Sequence, residues 1–169
     1  MNFEDVYEAF SDKIFRLCKS YTNDDEWAKD LMQDTFIQVY LNIKKFRNES
    51  SIGTWVYRIA SNICMRQMER ALKEKNITSY LPEPKIEVQH DENDRHEQLY
   101  NCIAQLEKTE RLIITMVLDG LSYKDIAEVL AVSEGNLRVK IHRIKRSLTE
   151  KFMEYEIEHD QKNIGHIKQ

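Results

Sequence analysis

Residues 120–148 read GLSYKDIAEVLAVSEGNLRVKIHRIKRSL. Gly120 suits the position just past a helix end, where the backbone turns left-handed. Ser122 and Ser133 are each placed to cap a following helix, because a serine oxygen accepts a backbone N–H that a first turn leaves unpaired. The spacing therefore predicts two short helices, YKDIAEVLAV and EGNLRVKIHRIKRSL, joined by a tight turn. In the second, Leu137, Ile141, Ile144 and Leu148 recur at i, i+4, i+7 and i+11 and make one apolar stripe. With that stripe inward, Arg138, His142, Lys145 and the Glu134–Asn136 end project outward. Ala127 is small enough to let the two helices approach closely. Short paired helices of which the second is basic form the helix-turn-helix pattern. Residues near the start of the second helix then reach base edges, while Arg143, Lys145 and Arg146 are better placed for phosphates. A solvated basic face on an ordinary helix is the competing reading; capping, turn length, stripe and charge agree on the first. The turn position most often held by Gly is Ala131, and a left-handed backbone there costs about 1 kcal/mol.

This basic helix sits in an acidic chain of 169 residues with net charge -4. The charge is polarised. Glu4, Asp5, Glu8, Asp12, Asp24, Asp25, Glu26, Asp30 and Asp34 crowd the first 40 residues, whereas Arg138, Lys140, Arg143, Lys145, Arg146 and Lys151 crowd 134–151. An acidic protein can thus present a local positive field. With only 4 Gly and 2 Pro, the chain is poor in turn residues and rich in helix formers, so an all-α fold is expected. No apolar run is long enough to span a membrane. The start, MNFEDVYEAF, lacks the basic and apolar segments of a signal peptide, so a cytoplasmic location is expected. Cys18, Cys64 and Cys102 show neither a disulfide pattern nor metal-ligand spacing, and they read as buried or idle thiols. No metal and no cofactor is expected.

Upstream, Val6, Phe10, Ile14, Leu17 and Cys18 mark an amphipathic helix over 3–20. TNDDEW (22–27) is a break with a cap. The helix that follows, about 25–45, places Leu31, Phe36, Val39, Tyr40 and Ile43 largely on one side. FRNESSIG (46–53) reads as a polar loop. A third helix starts at Thr54, with Trp55, Ile59, Ile63 and Met68 as its expected core side and Arg58, Asn62, Arg66 and Arg70 as its polar side. Residues 76–97 hold both prolines, Pro82 and Pro84, among Glu83, Glu87, Asp91, Glu92, Asp94 and Glu97. Low apolar content and Pro spacing read as a linker. Beyond it, Leu99, Ile103 and Leu106, then Leu112, Ile113, Met116 and Val117, make further apolar stripes.

Two stretches resemble one family. WAKDLMQDTFIQVYLNIKKFRNESSIGTWVYRIASNICMRQMER (27–70) is similar to a pattern Ala-x-Asp-Leu-x-Gln-(Glu/Asp)-x-Phe, a loop, then Thr-Trp-Leu-Tyr-Arg-Ile-Ala-x-Asn. DGLSYKDIAEVLAVSEGNLRVKIHRIKRSL (119–148) is similar to Gly-Leu-Ser-x-x-Glu-Ile-Ala followed by a Ser-x-Gly-x-(Val/Leu)-(Lys/Arg) helix ending in His-Arg. Both belong, in this order, to the extracytoplasmic-function (ECF) sigma factors of bacterial RNA polymerase, in the sigma-70 superfamily. The resemblance covers roughly 3–75 and 98–152. It implies two small helical domains: a region 2-like bundle over 1–75 and a region 4-like helix-turn-helix over 98–152. The acidic tether 76–97 joins them, and a polar tail follows over 153–169.

The resemblance also implies roles. Asp30, Leu31, Gln33, Asp34 and Phe36 match the motif that binds the coiled coil of the polymerase largest subunit. Asp30, Gln33 and Asp34 at i, i+3, i+4 do share a helix face, though a solvated acidic face has the same spacing. Phe46, Tyr57 and Asn62 match positions lining a pocket for a flipped base of the −10 element. A stacking ring and an amide can offset the few kcal/mol that unpairing costs. Arg58, Arg66 and Arg70 would track phosphates. Trp55 is expected to be core, and Tyr57 is open to either role. Ser133, Asn136, Arg138, Val139, Lys140, His142, Arg143, Lys145 and Arg146 match the helix that reads the −35 element. The sequence departs from the family at Arg66, where Asp is common; at Val139, where a small polar residue is usual; at Leu106-Glu107 in place of Leu-Pro; and at Gly53 in the loop.

The expected function is a non-enzymatic initiation factor. It binds core polymerase at the coiled coil and flap region, directs it to −35/−10 promoters and helps melt the DNA, under a membrane-linked anti-sigma partner. The alternative is a free-standing helix-turn-helix regulator that has no polymerase partner. A DNA-processing enzyme would need a catalytic Ser or Tyr with an arginine cluster; the basic residues near Tyr57 imitate one, but no nucleophile–base pair is visible.

Overall fold

The computed structural model describes residues 2–75 and 95–166, and every regular element among them is a helix. The first helix, α1 (Phe3–Thr22), starts on a reciprocal cap. Asn2 accepts the Asp5 N–H, and the Asp5 side chain accepts the Asn2 N–H. Asn23, in the left-handed region at φ 54, ends it. The predicted cap in TNDDEW is Asp24, whose Oδ1 accepts the Trp27 N–H at 2.7 Å to begin α2 (Asp25–Asn42). A 3-10 turn, Ile43–Lys45, follows, then α3 (Ile52–Lys75). This third helix begins two residues before the expected Thr54, because Ser51 Oγ accepts the Thr54 N–H at 3.0 Å. Gly53 therefore lies in its first turn and not in the loop. A Cβ there would stand 3.1 Å from the Phe10 ring, so the missing side chain lets α3 seat closely on α1.

The second half holds α4 (Arg95–Ala104), α5 (Lys108–Leu118), α6 (Tyr123–Leu130) and α7 (Glu134–His166). Gly120, at φ 86, ends α5 as expected. Its N–H donates to Val117 O at 3.1 Å, and the Leu121 N–H reaches Met116 O at 3.0 Å. The same motif ends α6 on Ala131 at φ 53. Ser122 and Ser133 cap α6 and α7 through the N–H groups of Asp125 and Asn136, at 3.1 and 3.3 Å. The helix α7 continues to His166, through residues expected to form the polar tail. The expected linker, 76–97, lies outside the described residues except at its end, where α4 has already begun.

The apolar core runs from Val6 through both halves to Leu148. Leu137, Ile141, Ile144 and Leu148 are buried as the stripe predicts, each worth about 1.5–3 kcal/mol of burial. Two expectations fail. On α3 the buried face is Val56, Tyr57, Ala60 and Cys64, while Trp55, Ile59 and Ile63 are only half-buried. Small side chains at 60, 61 and 64 let α1 and α3 come close, and that outweighs the size of the residues opposite. On α2, Tyr40 is exposed and stacks edge-on against Phe3, with centroids 5.3 Å apart.

The halves are in direct contact, α1 against α5 and α3 against α6. Arg111 Nη2 donates to Tyr21 O at 3.1 Å, and Asn23 Nδ2 to Ala104 O at 3.3 Å. Asp119 receives Arg16 Nη2 at 2.8 Å and the Tyr57 hydroxyl at 2.7 Å. Thr54 donates to Asp125 at 3.1 Å, and Arg58 pairs with Glu128.

Candidate nucleic-acid interface

Three faces carry the residues singled out by the sequence. The first is α2. Asp30, Gln33 and Asp34 are exposed together, as their spacing requires. Leu31 and Phe36 are not on that face: they are 1% and 4% exposed and hold α2 in the core. Their places outside are taken by Ile37 and Leu41, 54% and 60% exposed, which extend Asp30 and Asp34 at i+7 and i+11. The sequence reading missed them, although an apolar continuation of an acidic stripe was legible at helical spacing. Tyr7 edges Phe36 with ring centroids 4.7 Å apart, bracing the start of α1 against this helix.

The second face is α3, and it separates the residues expected to share one pocket. A cleft of about 360 Å³ opens between α2 and α3, lined by Gln38, Asn42, Lys45, Trp55, Ile59, Asn62, Ile63 and Arg66. Asn62 and Arg66 face it, and Phe46 closes near it with its ring 5.2 Å from that of Trp55. Trp55 is thus a cleft wall, not core. Gln38, Asn42 and Lys45 went unnoticed because the sequence reading treated α2 as a polymerase-facing and core helix only. Arg70 is exposed further along α3. Tyr57 and Arg58 point away, toward α5 and α6. Tyr57 is 1% exposed; burial and its bond to Asp119 push its phenol well above the usual tyrosine range.

The third face is the outer side of α7. Asn136, Arg138, Val139, His142, Arg143, Lys145 and Arg146 are exposed on it, with Lys140 half-buried at its edge. Ser133 is held in the cap. Tyr123 of α6, not anticipated from the sequence, organises the face. Arg138 lies over its ring at 5.4 Å, and Lys145 Nζ donates to its hydroxyl at 3.3 Å. Arg138 also donates to Glu134 Oε1 at 2.5 Å, so its guanidinium is held in place before any ligand arrives. Val139 stands exposed beside Arg138 on the same face.

Among the described residues no cluster of His, Cys, Asp or Glu could hold a metal ion. Cys18 and Cys64 lie buried with sulfurs 4.0 Å apart. Their mutual hydrogen bond, then burial, push the Cys18 thiol far above its usual range, which suits core packing and not nucleophilic chemistry.

Comparison with known proteins gives the family. Residues 6–73 match the family model for Sigma-70 region 2, and 96–148 that for Sigma-70, region 4. The ECF RNA polymerase sigma factor SigW of Bacillus subtilis is 27% identical, the match covering 86% of this chain and 86% of the relative. The ECF RNA polymerase sigma-E factor of Haemophilus influenzae is 28% identical, over 88% of this chain and 86% of the relative. The fold is that of the sigma factor RpoE from Bartonella quintana, solved in complex with the anti-sigma factor NepR. The TM-score is 0.79 at 19% identity, covering 89% of this chain and 96% of the other. The two regions, in order and on one chain, carry the acidic α2 face and the basic α7 face described above. The chain belongs to the ECF sigma factors of the sigma-70 family, regulators that act with RNA polymerase in transcription initiation.

Proposed function

We propose that the chain docks on core RNA polymerase through α2, reads a −35 element with α7, and captures an unpaired base of the −10 element at the α2–α3 cleft. The observation that carries this reading is the continuous α2 stripe of Asp30, Gln33, Asp34, Ile37 and Leu41. Apolar side chains exposed beside acids suit a helical, basic partner such as the coiled coil of the largest subunit, and a free-standing regulator has no use for them. In the cleft, the Asn62 amide reads a base edge, Trp55 and Phe46 supply ring faces, and Lys45 and Arg66 neutralise the strand's phosphates. The α7 face supplies base contacts near its start and phosphate contacts after Arg143.

An anti-sigma protein is the expected inhibitor, on the precedent of the NepR complex of the fold relative. The flap region of the polymerase is the expected seat of the second domain. Run-off transcription with added core polymerase on genomic fragments, with start sites mapped, tests the reading. New start points dependent on this chain support it. Failure to bind core polymerase, with DNA binding retained, would return the protein to the class of free-standing regulators. Asn62→Ala should impair opening while core binding stays intact, and equal loss of core affinity would contradict the cleft assignment.

A further inference from the structure

The outer face of α7 is cationic at its edges and apolar at the middle of its first turns. Leu137, Ile141, Ile144 and Leu148 mark the buried side. At about 3.6 residues per turn, the line directly opposite them holds Gly135, Val139, His142 and Arg146. Arg138 and Lys145 run along one flank of that line, Asn136 and Arg143 along the other. Val139 is therefore 53% exposed at the crest of the helix, between two arginines. Gly135 stands one turn before it. A Cβ at Gly135 would meet nothing within 4 Å, and its φ is not positive, so neither packing nor conformation inside the chain requires the missing side chain. Glycine and valine are both weaker helix formers than leucine, lysine or arginine. At i and i+4 on this face they make a shallow notch: open space over Gly135, walled by the two methyl groups of Val139. Arg138 borders it, held by Glu134 and lying over the Tyr123 ring.

The arginines, lysines and amide of the face can serve the polar groups of a base edge, but they give a methyl group nothing. In the major groove thymine alone presents one, at C5. We infer that the Gly135–Val139 notch is a specificity site for the C5-methyl group of a thymine in the upstream promoter element, beside the base that Arg138 meets. The inference rests on the −35 reading of α7. Gly135 gives the base edge clearance to come down onto the helix, and Val139 gives the methyl its apolar contact. The notch thus adds selectivity without adding charge.

The test uses the full chain with core polymerase, on duplex fragments whose start sites run-off transcription has mapped. Each thymine of the upstream element, on both strands, is replaced singly by deoxyuridine, which keeps the hydrogen bonds of the pair and removes only the methyl group. One replacement is expected to weaken wild-type binding about fourfold, the worth of one buried methyl-sized group. With Val139→Ser, the thymine and uracil fragments are expected to bind alike at that position. Val139 is exposed, so this substitution leaves the core of α7 intact. Gly135→Ala is expected to raise the thermal midpoint of the chain and yet weaken promoter binding, a pairing that a merely structural glycine would not give. A uracil scan without effect overturns the notch. So does a uracil penalty that persists in Val139→Ser, because another group would then meet the methyl. Unweakened binding in Gly135→Ala, or an upstream element without a single T·A pair, overturns it too. Changes of the other base pairs in the element keep this apart from the function. If none of them alters binding, the −35 reading falls and takes the notch with it; if they do and the uracil scan is silent, only the notch falls.

Discussion

Arg111 of α5 donates its Nη2 to the carbonyl of Tyr21 at 3.1 Å, joining the start of the second half to the last turn of α1. Its Nη1 meets Ala104 O at 2.8 Å, and the residue is only 6% exposed. The end of α1 carries the negative pole of the helix dipole, which suits a cation. Burial lowers the Arg111 pKa, but a guanidinium keeps its charge at ordinary pH. Arg111→Met keeps the apolar stem and removes both bonds, leaving two carbonyls without their partner. A loss of about 2–4 kcal/mol is expected, given the strength of hydrogen bonds to charged groups. Urea unfolding measures it; an unchanged midpoint would mean that Arg111 is not the fastening it looks to be.

Ala131 offers the opposite sign. It sits at φ 53 in the motif that ends α6, with the Val132 N–H bonded to Ala127 O at 3.0 Å. The methyl group strains that conformation, and glycine relieves it. Ala131→Gly is expected to raise stability by about 1 kcal/mol and the thermal midpoint with it. A lower midpoint would place the residue outside the left-handed region.

These two sites were not equally legible in sequence. Ala131 could be read because turn chemistry is local: the serine caps, the helix lengths and the missing glycine are all within a dozen residues. The α7 stripe was legible for the same reason, as were the exposed acids of α2. Tyr57 was not, since its burial comes from α5 and α6, and no local pattern reports what a distant half of the chain will cover. Trp55 was misjudged because size and hydrophobicity suggest core, while the space available on the α3 face is set by small neighbours such as Ala60, Ser61 and Cys64. Tyr123 was missed because a lone aromatic in a polar helix start carries no sign of the cations it will meet on α7.

The buried phenols give a pH dependence. Burial holds Tyr57 and Tyr21 above the usual tyrosine range, with Tyr21 pushed up to about 12. The unfolded chain releases these protons near the ordinary value of about 10. The folded state keeps them longer, so the unfolded state binds fewer protons in this range and stability falls as pH rises. The stabilising share is full below about pH 10 and is lost above it. Urea midpoints taken through the alkaline range should drop for the wild type. Tyr57→Phe should drop less steeply, because one of the two linked protons is gone, although it starts lower for want of the bond to Asp119. Parallel slopes would show that Tyr57 ionises freely and is not buried in solution.

Arg138 and Lys145 flank the same ring but should fail differently. Arg138 is held by Glu134 and Tyr123 near the start of α7, where a guanidinium can meet a base edge. Lys145 lies two turns on, where the proposed reading puts a phosphate contact. Bound to core polymerase, the Arg138→Ala chain is expected to lose about 1–3 kcal/mol of promoter binding at one base position and to lose discrimination there, as a bidentate contact would. Lys145→Ala should weaken all sequences alike and lower the slope of log K against log salt by about 1. Equilibrium binding of the holoenzyme to a panel of promoters with single-base changes, at several salt concentrations, separates the two. If Arg138→Ala weakens every promoter equally, its pairing with Glu134 serves only to hold α7 together, and base reading falls to Asn136 and Val139 beside it.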